Sequence, residues 1–135
     1  MSRIGIFGTQ SVGKTTLLNA LRSEPGLQDY KFLTNLTRSV MADGFKINEQ
    51  GDDRTQMEIC RRHAENVILY EHFITDRTMI DCLAYSVYLY RRDKIKKSTM
   101  ENVEKYARHL LPSFTYMIYL PIEFDIVPDG VRSQD

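Results

Sequence analysis

The chain alternates short apolar runs with longer stretches in which apolar residues recur every three or four positions. The first pattern reads as strand and the second as amphipathic helix. Arg3–Phe7 (RIGIF) is a strand, and Lys14–Glu24 is a helix with Leu17, Leu18 and Leu21 on one side, stopped by Pro25-Gly26. Tyr30–Leu33 is a short strand, Asn35–Ala42 a helix ending at Asp43-Gly44, and Phe45–Asp53 a loop. Arg54–Glu71 places Met57, Cys60, Ala64, Val67 and Ile68 at helical spacing. His72–Asp76 reads as a buried strand closed by an acid. Arg77–Arg91 follows as a helix whose inward face carries Met79, Ile80, Leu83, Ala84, Val87 and Tyr90. Ser98–Leu111 is the next helix, with Ser98 as its cap, Glu101 three residues on, and Met100, Val103, Ala107, Leu110 and Leu111 inward. Pro112 ends it, Phe114–Leu120 is the last strand, and Pro121–Asp135 is an irregular acidic tail.

Strands separated by single helices imply an α/β fold, a parallel sheet covered by helices on both faces, in a single domain spanning 1–135. In such sheets ligands bind beyond the carboxyl ends of the strands. Gly8 and Asp76 both stand at strand carboxyl ends, which places them on the same edge.

The loop after the first strand reads GTQSVGKT, meeting the pattern G-x-x-x-x-G-K-[ST] through Gly8, Gly13, Lys14 and Thr15. Strand, loop and helix come in the order that this phosphate-binding motif requires. The glycines let successive backbone N–H groups of Thr9, Gln10, Ser11 and Val12 face inward on an anion. Lys14 would reach the β- and γ-phosphates, Thr15 would ligate Mg²⁺, and Thr16 completes the run at the positive end of the helix.

A bound triphosphate loses its γ-phosphate to water or to an acceptor. A guanine-nucleotide switch would need D-x-x-G and N-K-x-D segments, and neither occurs. The stretch FITDRTMID supplies an acid and an arginine at the end of a buried strand instead. Asp76 is the candidate base for an acceptor hydroxyl, or a ligand of the Mg²⁺ shell, and Arg77 the candidate for holding an acceptor phosphate or the transferring group. Asp76 also stands where it would cap the following helix. Residues 121–135, ending in FDIVPDGVRSQD from Phe124 to Asp135, form a candidate lid in which Arg132 would stabilise transition-state charge.

Composition narrows little else. Lys plus Arg (18) balances Asp plus Glu (18), so global charge argues for neither a nucleic-acid nor a membrane partner. The basic run Arg91, Arg92, Lys94, Lys96 and Lys97 would be the backbone contact if the acceptor were a base in DNA; otherwise it is a solvated helix end. Cys60 and Cys82 read as buried free thiols of a reducing compartment. No signal peptide precedes the glycine loop and no apolar run spans a bilayer, so the expected location is the cytoplasm, away from membranes. His63, His72 and His109 lack zinc spacing and read as surface or structural residues. Tyr85, Tyr88 and Tyr90 read as the core and rim of one helix, and Glu49, Asp52 and Asp53 as loop acids.

Taken together, GTQSVGKTT, TRSVMADGFKINEQGDDRTQ, FITDRTMIDCLAY and DGVRSQD resemble the AAA-type P-loop family that includes the kinase domains of ribosylnicotinamide kinases. Phage nucleotide kinases and the phage kinases of 5-hydroxymethyluracil in DNA are similar. The resemblance implies a three-layer P-loop kinase fold with strand order 2-3-1-4-5 and ATP with Mg²⁺ as donor. It puts ATP on Gly8–Thr15, the acceptor on Asp76 and Arg77, the lid position at Arg132, and an acceptor-side arginine at Arg38. The family's fifth strand and the helix before it have no matching segment after DGVR. The expected activity is phosphoryl transfer to a nucleoside, a nucleotide or a 5-hydroxymethyl pyrimidine in DNA. The alternative is an NTP-hydrolysing regulatory or DNA-associated ATPase without a small acceptor.

Overall fold

The computed structural model describes residues 2–8 and 13–121. Four parallel strands form one sheet: β1 (Arg3–Phe7), β2 (Lys31–Leu33), β3 (Phe73–Thr75) and β4 (Tyr116–Tyr119). Their order is β2-β3-β1-β4, as the resemblance implied. The helices are α1 (Lys14–Arg22), α2 (Leu36–Ala42), α3 (Asp53–Leu69), α4 (Met79–Arg91) and α5 (Lys97–Leu110). The expected loop from Phe45 to Asp53 contains one 3-10 turn, Asn48–Gln50.

The two faces of the sheet are covered separately, which follows from strand alternation. Ile6 and Ile74 meet Leu18 of α1, with Ile4, Leu17, Leu21 and Phe32 around them. On the other side α3, α4 and α5 share Cys60, Met79, Cys82, Val103 and Ala107. Both cysteines are buried free thiols, as expected.

Position 5 must be glycine for reasons of space. A Cβ there would lie 2.7 Å from Thr78 Cγ2 and 2.9 Å from Met117 Sδ. The gap lets the residue before α4 press directly on β1, so β1 fixes where α4 begins.

Three helix assignments differ from the sequence pattern. On α4 the buried residues are Met79, Cys82, Ser86 and Leu89, while Ala84 is exposed. The helix is rotated because polar Ser86 is drawn inward: Gln56 Nε2 of α3 donates to its Oγ at 2.7 Å, and that hydroxyl donates to the Cys82 carbonyl at 2.8 Å. On α3 the inward line is Thr55, Gln56, Cys60 and His63, and Ile68 is 81% exposed near the helix end. On α5 Ser98 is not the cap. The helix starts at Lys97, and the Lys96 N–H donates to Asp53 Oδ1 at 2.9 Å.

That tertiary bond gives Asp53 a structural task that a loop acid would not have. Hydrogen bonds from Thr99 and then from the Lys96 backbone hold its carboxyl below the usual range. Asp52 caps α3, accepting from the Thr55 N–H at 2.9 Å. Arg3, unremarked in the sequence, is buried and donates from Nη2 to the Val67 carbonyl at 2.9 Å, which satisfies the last turn of α3.

Candidate functional site

The site forms where β1 and β3 end. Gly8 and Gly13 flank the phosphate-binding pattern with φ of 145° and 90°, backbone that side chains adopt only under strain. A Cβ on Gly8 would lie 2.5 Å from the Leu120 carbonyl oxygen. Thr9, Gln10, Ser11 and Val12 lie outside the described residues, as do Arg132 and the candidate lid from residue 122 on. Helix α1 opens at Lys14 immediately after Gly13, and the Leu17 N–H donates to the Gly13 carbonyl at 2.9 Å. Thr15 and Thr16 are exposed on its first turn. The described part of the loop is therefore a helix N-terminus open to an anion.

The segment after β3 is shaped by its own hydroxyls. Thr75 Oγ1 donates to the Arg77 carbonyl at 2.9 Å and accepts from the Arg77 N–H at 3.3 Å. Thr78, not Asp76, caps α4. Its Oγ1 accepts from the Ile80 N–H at 3.1 Å, and Asp81 Oδ2 accepts from the Thr78 N–H at 2.9 Å. The sequence T-x-x-D carries this capping-box signature, and it outcompeted the expected cap because it satisfies two backbone donors at once.

Relieved of capping, Asp76 is left with an unusual environment. Its Oδ1 is buried and has no hydrogen-bond partner among the described residues. Burial raises its pKa above the ordinary carboxylate value, against the opposing pull of Arg77 and Lys14. Lys14 Nζ donates to the Asp76 carbonyl at 3.3 Å and lies 3.8 Å from Asp81 Oδ1. The donor-loop lysine thus meets the end of β3 and the first turn of α4. The neighbourhood of Asp81 is set by the fold; along the chain only the T-x-x-D spacing points to it, as a capping residue.

A cavity of about 310 Å³ opens beside these groups, lined by Thr15, Asn35, Leu36, Thr37, Arg38, Asp76 and Arg77. It brings together a residue of the donor helix, the acid–arginine pair and Arg38 of α2. A narrower cleft of about 30 Å³ shares Leu36, Thr37 and Arg77 with it and is lined further by Gln56, His63 and Tyr85. His63 is buried, which makes it the structural one of the two readings. Its pKa falls from 6.5 to about 4, first through burial and second through the charge of Arg77.

The basic run lies elsewhere. It follows the far end of α4, and a helix of 13 residues is about 20 Å long at roughly 1.5 Å per residue. Part of it is engaged locally: Arg92 stacks over Tyr88 at 3.7 Å, and Lys94 Nζ donates to the Glu49 carbonyl at 2.7 Å. No group of His, Cys, Asp and Glu suited to a metal ion occurs among the described residues, and no helix among them is long and apolar enough to cross a membrane.

A family model described as AAA domain matches residues 3–135. The chain belongs to the AAA domain family. Solved structures with the same fold include a deoxyadenosine kinase from M. mycoides with the products dCMP and dCDP bound, at 20% identity and a TM-score of 0.66. That alignment covers 90% of this chain and 64% of the kinase. The NadR protein in complex with NR aligns at 15% identity and a TM-score of 0.71, covering 97% of this chain and 37% of NadR. The chain thus spans less than two thirds of either neighbour. No curated protein is matched by the sequence. The fold is that of P-loop kinases, with four parallel strands in the order 2-3-1-4 and helices on both faces.

Proposed function

We propose that this chain carries the kinase core of a Mg²⁺·ATP-dependent phosphotransferase acting on a nucleoside, a nucleotide or a 5-hydroxymethyl pyrimidine. One observation carries the reading: a cavity of about 310 Å³ places Thr15 of the phosphate-binding helix in the same wall as Asp76 and Arg77. Hydrolysis needs room there only for water, and a space of this size supports an acceptor molecule instead. The neighbours bound to nucleotide products and to NR support an acceptor of that chemical kind.

In this reading the acceptor hydroxyl oxygen forms the new bond to the γ-phosphorus as the bond to the ADP oxygen breaks. The hydroxyl proton passes to Asp76, whose buried Oδ1 has no hydrogen-bond partner among the described residues and whose raised pKa suits a proton acceptor. Arg77 and Arg38 hold an acceptor phosphate or the transferring group, and Lys14 the β- and γ-phosphates. The residues fit a magnesium ion: the exposed Thr15 hydroxyl offers an oxygen donor that it takes, and Asp76, in the alternative to its role as base, would join the shell through water. Mg²⁺ supplies charge neutralisation on the phosphate oxygens when bound. Arg132 would complete the site from the lid segment.

The test is ADP release from Mg·ATP with and without free nucleosides, nucleotides and hydroxymethylated DNA. Acceptor-stimulated release with a phosphorylated product is expected, and Lys14→Ala should abolish it at a temperature where circular dichroism shows the variant folded. Release that no acceptor stimulates would replace this reading with an ATPase. Full activity in Lys14→Ala would remove the phosphate-loop assignment itself.

A further inference from the structure

One carboxylate near the site has no part in the reaction just described. Asp81 lies in the first turn of α4 with its side chain 13% exposed, facing a Lys14 side chain that is 11% exposed. Its two oxygens are divided. Oδ2 is fixed by the Thr78 N–H at 2.9 Å, with the Thr78 hydroxyl at 3.4 Å. Oδ1 points to Lys14 Nζ at 3.8 Å. The capping bond prevents the carboxylate from swinging away. Thr78 in turn is pressed against β1 at Gly5, so the acid is anchored to the sheet through its own cap. An acid serving only as a cap would not need its second oxygen directed at the donor-loop lysine.

We infer that Asp81 is a positioning residue for Lys14, an anchor that holds the lysine at the start of α4 and yields it to an incoming triphosphate. This rests on the kinase reading, because it takes Lys14 to be the ligand of the β- and γ-phosphates. The ammonium cannot serve the carboxylate and the phosphates fully at once, so the two compete. An ion pair this little exposed is screened far less than one on the surface, which makes the competition measurable. Arg77, beside the same cap, lines the acceptor cavity. Arg77 thus lies just ahead of the turn of α4 that carries the lysine's anchor.

The experiment is calorimetric titration of the full chain with Mg·ATP and, separately, with AMP, which lacks the phosphates that Lys14 serves. Asp81→Asn keeps an oxygen for the Thr78 N–H and removes the charge. It should tighten ATP binding by about 3- to 10-fold, the size of a modest coupling between two sites, and leave AMP unchanged. Asp81→Ser, a second neutral variant with an oxygen, should act in the same direction, and Asp81→Glu, which keeps the charge, should stay nearer to wild type. In a Lys14→Ala background Asp81→Asn should have no effect on ATP, since the anchor then has nothing to hold. Equal tightening with and without Lys14 would show direct repulsion of phosphate and overturn the anchor. So would ATP affinity that is unchanged or weaker in both neutral variants while wild type binds ATP through Lys14. Wild type that binds no ATP would overturn the kinase reading as well.

Discussion

Strands β3 and β4 lie on either side of β1, both parallel to it and both apolar in sequence. Phe73, Ile74 and Thr75 of β3 are buried, whereas Tyr116 and Tyr119 of β4 are 63% and 60% exposed. The difference is one of place. β3 is paired on both edges, by β2 and β1, and has helices over it, while β4 pairs among the described residues only with β1. Apolar composition therefore reports that a segment is a strand, and not how deep it lies. The proposed chemistry lies at the deep strand: the acid, the arginine and the cap of α4 all leave the end of β3, where Asp76 Oδ1 is buried with no hydrogen-bond partner among the described residues.

The largest effect expected at β3 is on turnover. Asp76→Asn should lower single-turnover phosphoryl transfer roughly 10²–10⁴-fold, the range for a positioned proton acceptor. Its effect on stability should run the other way. The folded-state pKa of Asp76 is raised, so keeping it charged at neutral pH opposes folding, and that cost grows as pH rises through the folded value. An amide removes the charge, and because Thr78 is the cap, helix α4 loses nothing. The melting temperature should hold or rise near pH 7. Turnover within about threefold of wild type would assign the proton to another group.

In packing, Ile74 is 0% exposed and Ile118 is 36% exposed. Ile74→Ala should cost about 2–5 kcal/mol in urea unfolding, the range for truncating a buried aliphatic side chain. Equal costs for the two strands would contradict the burial difference, since Ile118→Ala should stay below about 1 kcal/mol.

The helix side of β3 adds a pH dependence. His63 lines a small space with Phe73, Thr75 and Met79. With its pKa lowered from 6.5 to about 4, the neutral ring favours the fold fully above about 6.5, and the advantage is lost as pH falls toward 4. The loss should approach about 3 kcal/mol. Melting curves across that range should show His63→Gln to be flatter than wild type. Parallel curves would mean that His63 does not titrate on unfolding.

The smallest effect expected is at the basic run. Neutralising Arg91, Arg92, Lys94, Lys96 and Lys97 should leave transfer to a free nucleoside within about twofold, since the run lies a helix length, about 20 Å, from Arg77. A large loss with a free nucleoside would place the acceptor far from the cavity.

Much of this molecule was legible along the chain. Every strand and helix was anticipated to within a few residues, because apolar periodicity and Pro or Gly stops are local signals. The helix faces were not. Sequence pattern turned α4 by its aliphatic residues, whereas the Gln56–Ser86 bond turned it by a polar one. Ser98 looked like the start of α5, but Asp53, brought from another element, holds the Lys96 N–H ahead of it.

The sequence by itself determined the phosphate-binding pattern on which the proposed donor side rests. Gly8, Gly13, Lys14 and Thr15 act within one turn of chain, so their spacing is already their geometry. Only the tertiary structure decided the surroundings of the proposed acceptor side. It brought Lys14 to the carbonyl of Asp76, 62 residues on, left that acid's Oδ1 without a partner among the described residues, and turned Asp81 toward the lysine. The physical reason is that burial and charge depend on neighbours in space, and the fold of a parallel sheet draws those neighbours from strands far apart in the chain.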